Sequence, residues 1–203
     1  MHTEKYKLYI PEDIKGKTIL DYGCGTGNLT KNINCNQYQG LEIDEEAYEY
    51  CIKTFPDHKF IFQDIKNIVY NENGKQQYPI LKESYDIIFA YSVFTHTTYD
   101  YFLKCIDIFK SHLNKDGTIY VSMILFDNDK MLRYFINKRK KKFGYCDPII
   151  PSDTMGYLMD NKYNHDLAKC ETFVSIYNKK FLEKHGEIVK TSMIQDILKI
   201  VKL

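Results

Sequence analysis

The stretch Ile19-Leu20-Asp21-Tyr22-Gly23-Cys24-Gly25-Thr26-Gly27-Asn28 decides the reading of this chain. A short apolar run passes directly into alternating glycines. Glycine tolerates left-handed backbone and carries no side chain, so such a loop can bring amide N–H groups close to a ligand. The pattern predicts a first strand over residues 18–22 (TILDY) and a helix after the loop. A second strand over 38–43 (YQGLEI) holds Glu42, 21 residues beyond Asp21. A carboxylate there can accept hydrogen bonds from both hydroxyls of a ribose.

The glycine spacing separates two nucleotide ligands. The dinucleotide pattern G-x-G-x-x-G needs glycine at position 28, where this chain has Asn28. The run is G-x-G-x-G instead, with Asp21 two residues ahead of it. An acidic residue at the loop entrance suits the ammonium group of S-adenosylmethionine (SAM) better than the pyrophosphate of NAD.

Outward from the loop, short apolar runs alternate with helical patterns, as in βαβ units built on a parallel sheet. Asp44 is placed to cap a helix whose first turns carry Glu45, Glu46 and Glu49. Residues 59–62 read as a third strand. Residues 85–91 (YDIIFAY) are nearly all apolar, as expected of a central strand covered on both faces. A helix over 99–113 follows from Phe102, Ile106 and Phe109. Lys115-Asp116-Gly117 turns the chain into a fifth strand over 118–125. Residues 66–83 lack periodicity and read as loop.

The last third differs. Residues 127–143 have the pattern of an amphipathic helix stopped by Gly144, and 146–172 read as irregular. A short helix over 178–185 and two closing strands over 187–194 and 195–202 complete the expectation.

With 203 residues, 44% hydrophobic and 27% charged, the composition fits one soluble domain spanning 1–203. The net charge of +1 gives no global field toward nucleic acid or an anionic membrane. No apolar run reaches membrane-spanning length and no secretory stretch is evident, so the expected location is cytoplasmic. Six cysteines lie scattered without a C-x-x-C pair, and no metal is expected.

ILDYGCGTGNLT resembles motif I of the class I SAM-dependent methyltransferases, and GLEID resembles their second motif. FIFQDI is similar to the third, and YDIIFAYSVFTH to the fourth strand and its following loop. The resemblance implies a Rossmann-like α/β fold: a seven-stranded, mostly parallel sheet with an antiparallel last strand and helices on both faces. It assigns Gly23, Cys24, Gly25 and Gly27 to the loop around the methionine part of SAM, with Asp21, the acidic residue at the loop entrance, as a further cofactor-binding candidate. Glu42 would hold the ribose, with Ile43 on the adenine. Asp64 would accept from the adenine amino group with Ile65 beside it, and Tyr91 and Ser92 would lie near the methionine moiety. S-adenosyl-L-homocysteine would be the product.

Methyl transfer from a sulfonium gains mainly from positioning the acceptor and excluding water, with a base needed where the acceptor is protonated. His96, just past the fourth strand, is the candidate base, since imidazole titrates near working pH. The alternative is that it orders its loop. The N/DPPY motif of nucleic-acid amino methyltransferases is absent, and Tyr91 stands where metal-dependent catechol-type enzymes carry aspartate. By elimination, the expected partner is a small-molecule acceptor: an oxygen of a sugar, phosphorylated or related metabolite in surface-glycan or secondary metabolism. The enzyme is expected as a monomer or homodimer.

The resemblance also implies that residues 127–172, placed where the family builds its substrate cover, form a lid. They carry the basic run 138–142, and His165, Tyr157 and Tyr163 as candidate pocket residues. The rival readings are a nucleic-acid or protein methyltransferase using that run, and an inactive SAM-binding partner subunit. Tyr6, Tyr9 and Ile10 are placed to fold across the site from the N-terminal side.

Overall fold

The computed structural model describes residues 8–33, 37–67, 70–128, 130–131, 133–134, 137, 147–149, 155–159, 174–191 and 195–202. In chain order its elements are β1 (Ile19–Tyr22), β2 (Tyr38–Glu42), α1 (Glu45–Thr54), β3 (Lys59–Phe62), β4 (Tyr85–Ala90), α2 (Tyr99–Ser111) and β5 (Leu113–Met123). There follow β6 (Leu125–Phe126), β7 (Asp147–Ile149), β8 (Met155–Met159), β9 (Val174–Asn178), α3 (Lys179–Leu182), β10 (Glu187–Val189) and β11 (Asp196–Val201).

Seven strands form one sheet in the order β3-β2-β1-β4-β5-β11-β10. Pairing is parallel from β3 through β5, and β11 runs antiparallel to both β5 and β10. The Rossmann-like, mostly parallel sheet implied by the motifs is the sheet observed. Its chain order reverses between β1 and β4. A crevice opens at the carboxyl ends of strands at such a switch point.

Side-chain alternation along β1 and β4 feeds two cores. Leu20, Tyr22, Ile88 and Ala90 pack with Phe102, Cys105, Ile106 and Phe109 of α2. Ile19, Ile87 and Phe89 join Leu29, Ile33 and Tyr38 on the other face. Burial on both faces explains why β4 reads as an unbroken apolar run.

Asp44 caps α1 as expected, its carboxylate accepting from the Ala47 N–H at 3.0 Å. The helix expected after the glycine loop is, among the described residues, a single 3-10 turn, Thr30–Asn32. Local side chains account for this. The Asn32 amide turns back to the Asn28 carbonyl at 2.8 Å, and the Thr30 hydroxyl is drawn to Tyr38. β5 begins at Leu113 rather than 118, because a register shift opposite Tyr85 and Ile87 absorbs the Lys115-Asp116-Gly117 turn.

The segment read as irregular, 146–172, contains strands. β7 and β8 pair antiparallel, β8 pairs antiparallel with β9, and β9 pairs in parallel with β6, giving a second sheet in the order β6-β9-β8-β7. Lys130, Met131, Arg133, Tyr134 and Asn137 are helical, in keeping with the amphipathic pattern there. The basic run 138–142, Tyr6, His165, Tyr163 and the side chain of Tyr157 lie outside the described residues. Among the described residues, no helix is long and apolar enough to cross a membrane.

Candidate functional site

The loop after β1 is shaped by three glycines at positive φ, Gly23 (71°), Gly25 (52°) and Gly27 (75°). Gly23 and Cys24 both donate backbone N–H groups to the Leu41 carbonyl at the end of β2, at 2.8 and 3.2 Å. A Cβ at Gly23 would strike Val93 at 2.5 Å, so this glycine permits close packing. Gly25 is different: a Cβ there would meet nothing within 4 Å. The bare side of Gly25 is the one that a ligand can approach.

Glu42 organises the loop from the end of β2. One carboxylate oxygen accepts the Gly25 N–H at 2.6 Å, and the other accepts those of Ile43 and Asp44 at 2.7 and 2.9 Å. A carboxylate offers about four lone-pair sites, so these three bonds leave roughly one for a ligand. The Cys51 thiol donates to the Gly25 carbonyl at 3.1 Å and braces the loop from α1.

Asp21 is buried, 3% exposed, and accepts from the Tyr38 hydroxyl at 2.7 Å. Burial drives its carboxyl up from 3.8 to about 7; the Tyr38 hydrogen bond opposes the shift and the Glu42 charge adds to it. Burial also pushes the Cys24 thiol up, which suits a packing residue and not a nucleophile.

These groups surround one cavity of about 330 Å³, the size of a small-molecule site. Of the residues expected from the sequence, Asp21, Gly23, Cys24, Gly25, Glu42, Ile43, Tyr91 and Ser92 line it together. Ser92 adopts φ 60°, held by its N–H to the Ser122 hydroxyl at 2.7 Å. Non-glycine residues rarely take that conformation, and strain of this kind gathers at functional sites. Leu8 reaches the cavity wall, and the Tyr91 hydroxyl donates to the Tyr9 carbonyl at 2.6 Å. The N-terminal segment therefore borders the site.

Four expected residues stand apart from the lining. Gly27 closes the loop through its N–H to the Cys24 carbonyl at 3.0 Å. Asp64 accepts from the Asn71 amide at 3.0 Å, and Ile65 is buried in the main core. His96 occupies a 3-10 turn, Phe94–His96, and meets the Tyr70 ring edge-to-face with centroids 6.0 Å apart. Tyr70 itself lines the cavity, as does Asn67, whose side chain accepts from the Tyr70 N–H at 3.1 Å. Neither was read from the sequence, since 66–83 carries no periodic signal. Burial, with Glu42 and Asp44 nearby, raises the Tyr70 phenol.

Residues 3–186 match the family model described as a methyltransferase domain. The chain belongs to the methyltransferase domain family. The motif resemblance carried by ILDYGCGTGNLT is thus a membership. Two uncharacterized methyltransferases are similar in sequence. One, from Anoxybacillus flavithermus, is 26% identical over 132 residues, 65% of this chain and 58% of the relative. The other, from Alkaliphilus oremlandii, is 24% identical over 136 residues, 66% of this chain and 58% of the relative. The chain thus spans less than two thirds of either one's length.

Solved structures share the fold. A SAM-dependent methyltransferase from Methanosarcina mazei superposes with TM-score 0.59 at 16% identity, covering 93% of each chain. The SAM-bound amino pentose methyltransferase of calicheamicin biosynthesis, from Micromonospora echinaspora, gives TM-score 0.57 at 11% identity, covering 91% of this chain and 83% of its own.

Proposed function

We propose that this chain is a SAM-dependent methyltransferase acting on a small-molecule acceptor, with an oxygen of a sugar, phosphorylated or related metabolite as the methylated atom. The observation that carries this is the convergence of Asp21, Gly25 and Glu42 on one cavity at the sheet's switch point. The residues fit SAM. Gly25 offers an unobstructed backbone face, Glu42 keeps an acceptor site for a hydroxyl, and Asp21 is a buried carboxyl that a cationic amine would ionise.

Bound there, SAM supplies a methyl group on a positively charged sulfur. Asp21 orients the amino-acid end against the bare backbone face of Gly25, and Glu42 orients the ribose. Ile43, Ala47 and Tyr70 give the cavity apolar and aromatic walls beyond Glu42. His96, edge-to-face with Tyr70, takes the acceptor proton where the acceptor carries one. The segment 127–172 is assigned to covering the acceptor. Support for a small acceptor comes from structural neighbours such as the amino pentose enzyme.

The test is methyl transfer from labelled SAM to a panel of sugars, sugar phosphates and nucleotide-linked sugars, with RNA and a protein extract alongside. Label in a small acceptor supports the reading. Label entering only RNA or protein replaces it with the macromolecular one.

A further inference from the structure

The second sheet meets the main fold at the turn that carries His96. Along β9, Val174 and Ile176 face a small cluster with Phe126. Ser175 and Tyr177 project the other way, and both are fully buried. The Ser175 hydroxyl donates to the Thr97 carbonyl at 2.6 Å, and the Tyr177 hydroxyl donates to the Phe94 carbonyl at 2.9 Å. The two acceptors flank His96, one following it and one two residues before it.

Apart from the Thr97 hydroxyl, which is buried without a partner among the described residues, the turn also bonds to itself. The Thr95 hydroxyl donates to the Ser92 carbonyl at 3.0 Å, the His96 N–H to the Val93 carbonyl at 3.1 Å, and the Phe102 N–H to the Thr98 carbonyl at 3.1 Å. An apolar pair would serve a purely packed seam equally well, because burying a hydroxyl is unfavourable unless it is bonded. Here both hydroxyls are bonded to a single turn, from a strand about eighty residues distant in sequence.

We propose that Ser175 and Tyr177 are positioning residues for His96: the accessory sheet sets the turn that aims the imidazole. This rests on the reading of His96 as the acceptor-side base. Tyr177→Phe removes one hydroxyl while keeping the ring against Phe102, and Ser175→Ala removes the other. Ile176→Val, on the opposite face of β9, is the control.

The experiment is histidine-labelled NMR of the full chain across pH, with the His96 signal assigned by its loss in His96→Ala. Displacement of the His96 ring signal and its titration midpoint in Tyr177→Phe and Ser175→Ala, with Ile176→Val unchanged, is the expected result. An unmoved His96 signal in both hydroxyl variants overturns the proposal, as does an equal shift in Ile176→Val. Full methyl transfer by His96→Ala alongside a moved signal would remove His96 as the base and leave the positioning intact.

Discussion

The Tyr38 hydroxyl donates a 2.7 Å hydrogen bond to Asp21 and itself accepts one from Thr30 at 2.8 Å, so the carboxyl beneath the glycine loop sits in a buried chain of hydroxyls. That chain only partly offsets the burial of Asp21, whose carboxyl is pushed up to about 7. The site holds an acid raised well above the ordinary carboxylate range.

A pH dependence follows, with opposite signs for folding and binding. Because the folded value lies above the ordinary 3.8, the stabilising contribution is full below that value. It is lost as pH rises through about 7. A cationic amine binds the ionised form, so SAM affinity rises over the same interval. Asp21→Asn is expected to be more stable than the wild type at pH 8 and to bind SAM more weakly, with the pH slope flattened. Calorimetry of both proteins at pH 6 and pH 8 measures this. Equal slopes would remove Asp21 from the linkage.

Glu42→Ala should weaken SAM binding by about 1–3 kcal/mol through loss of a charged acceptor. It should also lower the melting temperature, because the N–H groups of Gly25, Ile43 and Asp44 lose their common partner. Denaturant unfolding and ligand titration on one preparation read both effects. Unchanged affinity would take Glu42 out of the site.

Gly23 and Gly25 should respond differently to alanine. At Gly23 a Cβ meets Val93 at 2.5 Å with φ at 71°, so stability should fall by about 2–5 kcal/mol from strain and overpacking. At Gly25 the Cβ meets nothing, so the fold should lose only ~1–2 kcal/mol from the left-handed backbone. SAM affinity should suffer more in Gly25→Ala than that loss explains. Comparing melting temperature with affinity across the pair checks the assignment of the open face.

His96→Ala should lower turnover by about 10²–10⁴-fold where the acceptor carries a proton, with SAM affinity nearly unchanged because His96 lies outside the cavity lining. Single-turnover kinetics with the acceptor found by screening give the number. Full activity would make the residue structural.

Much of this was legible in the sequence, where a physical signal was local. β3 falls on Lys59–Phe62 as read, and Asp44 caps α1, because apolar runs and capping side chains act over a few residues. The glycine loop and Glu42 were legible through their spacing. The second sheet was not. β9 pairs with β6 and β8, and β6 is only two residues long, so its strand character is decided by partners distant in sequence. Tyr70 and Asn67 sit in a loop without periodicity and reach the cavity through backbone and amide bonds specific to that turn. The threefold use of Glu42 by backbone N–H groups was likewise invisible before the loop geometry was known.

The most direct test of the central claim is a thermal-shift titration with SAM, S-adenosylhomocysteine and NAD. At about a hundredfold excess over the dissociation constant, binding stabilises the folded state by ~2.7 kcal/mol, about 5–10 °C for a domain of this size. The account predicts a shift with both SAM-type ligands and none with NAD. A shift with NAD alone, or no shift with SAM, would contradict it.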